Sequence, residues 1–235
     1  MSFRRSILGC CLLLLAGVAF AENVTFSTRA IIENPRDPKA NNSKNVVVWL
    51  TPVGSSAPAL DTSKLYRLVQ HDKKFDPHIL VVPVGAVVEF PNHDPYFHNV
   101  FSLFEGKRFD LGLYEAGSKR TVRFDKVGVS YIFCNIHAQM SAVVISIPTP
   151  YYGISDTQGD IVIHNVPEGR YKMQVWYETA PEALKSMTRE ITLSQHDSSI
   201  APLKIEAVIV PETHKNKYGR DYDPAEPASP AYERP

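Results

Sequence analysis

The sequence predicts an all-β protein of sandwich or Greek-key type followed by a second, smaller β-unit. Three observations predict it. Short runs rich in Val, Ile, Tyr and Phe recur from residue 22 onward, separated by Gly, Pro, Asn and Asp clusters. No segment sustains a helical period; 181–186 could form one turn at most. The 235 residues suffice for two modest domains, and their 44% hydrophobic and 21% charged content is that of a globular chain.

Taken in order, residues 45–50 (NVVVWL) are an apolar strand and 79–84 another, with Pro83 marking an edge or a bulge. Gly85 turns the chain into a strand at 87–90. Residues 121–124 and 129–133 flank a turn at 125–128. In the second of these, Val129, Tyr131 and Phe133 share one face while Ser130, Ile132 and Cys134 share the other. The second unit begins after Pro148. Asp156-Thr157-Gln158-Gly159 is a turn, 160–166 a strand, and Pro167-Glu168-Gly169 a further turn. Tyr171, Met173, Val175 and Tyr177 then alternate with Lys172, Gln174 and Trp176, which reads as core packing rather than a cofactor box. Residues 211–235, rich in Pro and charge, are expected to be a disordered tail. The polar segment 104–118 receives no role.

Charge and the chain start narrow the function classes. The 25 basic and 25 acidic residues balance, which argues against a nucleic-acid partner. Arg4 and Arg5, the apolar run 7–20 and Ala19-Phe20-Ala21 read as a signal peptide over 1–21, which predicts export to the periplasm. No run is long enough for stable membrane insertion. Of three cysteines, Cys10 and Cys11 leave with that signal, so Cys134 stands alone. A lone thiol in an oxidising compartment is buried and inert, paired between chains, or employed in chemistry.

The neighbours of Cys134 favour chemistry. Phe133-Cys134-Asn135-Ile136-His137-Ala138-Gln139-Met140 sets a thiol, an imidazole and a thioether at Cys-x-x-His-x-x-Met spacing just after a strand. Two sulfur donors suit copper, and His₂Cys with a weak axial Met is the ligand set of blue-copper sites. His98, in a loop after the 87–90 strand, is placed to supply the second imidazole.

These segments, with 75–77 and 98–100, resemble the cupredoxins over about 66–147, and within them the plastocyanin and amicyanin group of methylamine-utilisation type. The resemblance implies a Greek-key β-sandwich holding one type 1 copper ion through His98, Cys134, His137 and Met140. It also implies that Asn99 ties the histidine loop to the cysteine loop. The implied function is one-electron carriage, without enzymatic activity, by a monomer between periplasmic redox partners such as a dehydrogenase or a cytochrome. A copper-binding or chaperone protein using the same residues is the alternative. Phe90, Phe97, Phe133 and Ile136 are expected to shield the metal, and the His137 edge to reach the surface beside Ala138 and Pro95. His71, His78 and His93 are surplus histidines, read as surface or turn residues that leave a second site conceivable.

Residues 155–161 and 165–171 resemble the carboxypeptidase regulatory, transthyretin-like sandwich, assigned to 148–210. Strands within 22–60 are expected to complete it, which would make the cupredoxin-like unit an insertion.

Overall fold

The computed structural model describes residues 22–33, 43–55, 58–103, 106–208 and 213–222; the expected signal segment lies outside them. Two strands open the chain, β1 (Asn23–Glu33) and β2 (Val47–Pro52). Next come β3 (Tyr66–Arg67), β4 (Val69–His71), β5 (Lys74–Asp76), β6 (Ile79–Pro83), β7 (Val87–Pro91) and β8 (His98–Ser102). They are followed by β9 (Phe109–Tyr114), β10 (Lys119–Arg123), β11 (Gly128–Cys134) and β12 (Ser141–Ile147). The chain then forms β13 (Tyr152–Ile154), β14 (Asp160–Pro167), β15 (Gly169–Trp176), the helical turn α1 (Ala183–Ser186), β16 (Arg189–Leu193) and β17 (Leu203–Glu206). Among the described residues the fold is all-β apart from that turn. Among the described residues no helix is long and apolar enough to cross a membrane.

Strand pairing nests one sandwich within the other. β1 lies between β14 and β17, and β2 between β13 and β15, with β16 beyond, so the first two strands pair with strands that follow residue 148. Between β2 and β13 the chain builds a separate pair of sheets, β6-β12-β11-β8-β9 and β10-β7-β3.

Three apolar clusters join these layers. Phe26, Val48, Leu50, Ile161, Met173 and Val175 fill the first sandwich, and Val88, Phe90, Val100, Phe124, Ile132 and Val144 the second. Between them lie Val47, Trp49 and Trp176 against Ile79, Val81, Val143, Ile145 and Ile147. This explains why NVVVWL has no polar face: Val46, Val48 and Leu50 enter one core while Val47 and Trp49 enter the next, as in a strand covered on both sides. A polar link crosses the same junction, where His78 Nε2 meets Glu178 Oε2 at 2.6 Å.

Segment 104–118 contains β9, whose residues pair with β8: His98 opposite Tyr114 and Asn99 opposite Leu113. Cys134, at the end of β11, stands opposite Val100 on the other side of β8. The two segments picked out in the sequence are thus brought to one end of one sheet.

Candidate metal centre

The histidine loop is shaped by Asn92. Its buried side chain accepts from Asp94 N (3.0 Å) and donates to the Tyr96 carbonyl (2.7 Å), which folds 92–96 into a tight turn. That turn aims Asp94 inward. Asp94 Oδ1 accepts from Asp72 N at 2.6 Å, and Oδ2 accepts from Lys73 N at 2.9 Å. Asp72 and Lys73 form the two-residue tip between β4 and β5 with φ of 52° and 55°, the left-handed geometry of a tight hairpin. Oδ2 also receives the His98 Nε2 proton at 2.7 Å. Burial pushes the Asp94 carboxyl up, but the Lys73 amide, the His98 ring and the Asp72 amide together hold it below its ordinary range.

This leaves Nδ1 of His98 as a lone-pair donor, 3.6 Å from Cys134 Sγ; His137 Nδ1 is 3.5 Å from the same sulfur. The three ligand atoms lie within 4.8 Å of one another. For a first-row metal with bonds of about 2.3 Å to sulfur and about 2.0 Å to nitrogen, tetrahedral to trigonal geometry separates those donors by about 3.5–3.7 Å. The sulfur–nitrogen spacings therefore fit a metal ion. His98 and Cys134 are fully buried and His137 half-buried. Burial lowers His98 against the pull of Asp94, and burial with neighbouring His98 lowers His137 to about 4, so both rings are neutral at pH 7, the ligating form. Burial pushes the Cys134 thiol up; the amides of Asn99, Ile136 and His137 oppose it, because each donates toward the sulfur.

The cysteine loop closes on itself. Cys134 N donates to the Met140 carbonyl and Met140 N to the His137 carbonyl, each at 3.1 Å. Met140 is 1% exposed and shares the inner core with Cys134.

No family model matches this chain, and no curated protein matches it. Solved structures similar to it include a purple cupredoxin from Nitrosopumilus maritimus, at 22% identity over 35% of this chain and 99% of that one, with a TM-score of 0.32. A copper-containing nitrite reductase from Thermus scotoductus is 24% identical over 41% of this chain and 25% of that one, with a TM-score of 0.35. A reduced amicyanin variant is 19% identical over 42% of this chain and 99% of that one, with a TM-score of 0.33.

Two features differ from the sequence expectations. The Asn99 side chain does not reach the cysteine loop: its Nδ2 donates to Asp110 Oδ1 on β9 at 2.7 Å, and its backbone amide faces the sulfur instead. Residues 213–222, inside the segment expected to be disordered, pack on the cysteine loop; 211–212 and 223–235 lie outside the described residues. Of the shielding residues, Phe90 is buried while Phe97, Phe133 and Ile136 are half-buried; Ala138 is half-buried and Pro95 exposed. The surplus histidines stand apart from the cluster. His71 pairs loosely with Asp72 and Asp76 on the surface, His93 is exposed, and His78 serves the junction with the other sandwich. Asp94 had no role in the sequence reading, although a carboxylate four residues before a candidate ligand histidine is a signal that could have found it.

Proposed function

We propose that this protein is an exported type 1 copper protein that carries single electrons. The observation supporting this reading most directly is the buried convergence of His98 Nδ1, Cys134 Sγ and His137 Nδ1, with Met140 closing the same loop. One thiolate, two imidazoles and a thioether form a donor set that suits copper in both oxidation states. Bound copper would supply the one-electron couple. The chain's own residues do the rest. Asp94 holds His98 in the Nε2–H tautomer and fixes its ring plane; the three amides around Cys134 favour a thiolate; Phe90 and the inner core exclude water.

Four donors, with Met140 as the proposed fourth, would leave no position for a substrate, so the proposed role is a carrier rather than an enzyme. A chaperone must hand its metal to a partner through accessible ligands, and the burial of His98 and Cys134 disfavours that alternative. The half-buried His137, followed by half-buried Ala138, is the proposed edge for exchange with a dehydrogenase or cytochrome. The proposed carrier acts as a periplasmic monomer.

Voltammetry of copper-loaded protein tests the reading. It predicts a reversible one-electron wave that Cys134→Ala abolishes. A wave unchanged by that substitution would refute the assignment.

A further inference from the structure

The cysteine loop carries three of the four proposed ligands, and within itself it is closed by Cys134 N on the Met140 carbonyl and Met140 N on the His137 carbonyl. Residues 213–222 add further contacts to it from outside. His214 N donates to the Ala138 carbonyl at 3.1 Å, and the His214 ring lies between two carbonyls, Nδ1 at 2.8 Å from that of Lys215 and Nε2 at 3.2 Å from that of His137. Lys217 N donates to Asn135 Oδ1 at 2.8 Å, and the Tyr222 hydroxyl to the Cys134 carbonyl at 2.8 Å. Four residues of the loop are thus held from outside by one segment. Apolar contact reinforces the grip, because the His214 ring lies 4.4 Å from that of Phe133 and 5.4 Å from that of Tyr222.

The same segment reaches the other ligand-bearing strand. Lys217 Nζ pairs with Asp110 Oδ2 at 2.8 Å, and the opposite oxygen of Asp110 accepts from Asn99 Nδ2, beside His98. Asn99, Asp110, Lys217 and Asn135 therefore form one polar chain from the histidine strand to the cysteine loop. It makes the tie that Asn99 alone was expected to make.

We infer that residues 213–222 are a strap that positions the ligand loop, with Tyr222 and His214 as its positioning residues. The inference rests on the copper reading above. The strap holds the His137 and Cys134 backbones in one place through both oxidation states, which keeps reorganisation on electron exchange small. Neither residue touches the cluster itself; each acts through the carbonyl of a proposed ligand.

The test uses full-length copper-loaded protein with Tyr222→Phe, His214→Phe and the double substitution, each of which keeps the aromatic ring and removes a hydrogen-bond donor. Transfer of copper to a Cu(I) chelator should accelerate about fivefold for each single variant and tenfold or more for the double, the effect of losing one or two hydrogen bonds of ordinary strength. The thiolate absorption band should persist but move, and the reduction potential should shift with it. In metal-free protein, amide hydrogen exchange across 134–140 should quicken while β7 and β12 keep their protection.

Unaltered release rates, band and potential in the double variant would overturn the strap while leaving the copper reading intact. A fall in melting temperature with those three unchanged would do the same, since it would mark the contacts as merely structural. Absence of a thiolate band in the unsubstituted protein would remove both readings.

Discussion

At the residue scale the candidate centre depends on which groups act locally. Cys134 and His137 were legible as neighbours because one short loop holds them at fixed spacing, so sequence distance stands in for spatial distance, and Met140 closes that loop through its backbone. His98 was legible from its place after the 87–90 strand, although it opens β8 rather than lying in a loop. Asp94 was not, because its role arises from two amides on a distant hairpin tip and from a turn made by Asn92. Its contribution is specific. Asp94→Asn keeps the size but removes the anion on His98 Nε2, so copper affinity should fall about tenfold to a hundredfold, the usual effect of losing such a partner. The potential should rise as well, because the oxidised metal loses more than the reduced one. Competition titration and potentiometry check both; an unchanged affinity would show that the Asp94–His98 pair is only structural.

At the element scale, fold class followed from strand periodicity, and the individual elements followed less evenly. The 160–166 and 171–177 strands alternate cleanly, and β14 and β15 occupy nearly those positions. β9 escaped notice because Asp110 and Gly112, the latter at φ 66°, interrupt its apolar residues at the edge of the sheet. The 213–222 segment read as disordered because it buries little apolar surface; its order comes from backbone acceptors on another loop, which have no compositional signature. β2 gave the opposite signal, a strand with two apolar faces and hence two cores. Trp49 is 3% exposed between the sandwiches, so Trp49→Ala should destabilise the protein by about 3–5 kcal/mol, read as a lower denaturation midpoint. A loss below about 1 kcal/mol would mean the junction is not a true core.

At the scale of the whole molecule, the apolar junction should make the two sandwiches unfold together. Denaturation followed by far-ultraviolet circular dichroism and by tryptophan fluorescence should therefore give coincident curves; two separated transitions would show independent units. The polar link at that junction adds a pH dependence. Hydrogen bonding to Glu178 raises the His78 pKa above its ordinary value, against the opposing effect of burial. The pair's stabilisation is thus fully present below about pH 6.5 and fades as pH rises through the raised value. Both side chains are partly exposed, so the effect is at most about 1 kcal/mol. The melting temperature of His78→Gln should trail the unsubstituted protein more at pH 5.5 than at pH 9, and an equal gap at both would exclude the pair as its source. The central claim remains the copper–thiolate centre on one rigid sheet end, and the absorption spectrum after one equivalent of Cu(II), compared with Cys134→Ser, tests it most directly. The account predicts an intense visible band in the unsubstituted protein that disappears in the variant. A colourless complex, or a band indifferent to the substitution, would contradict it.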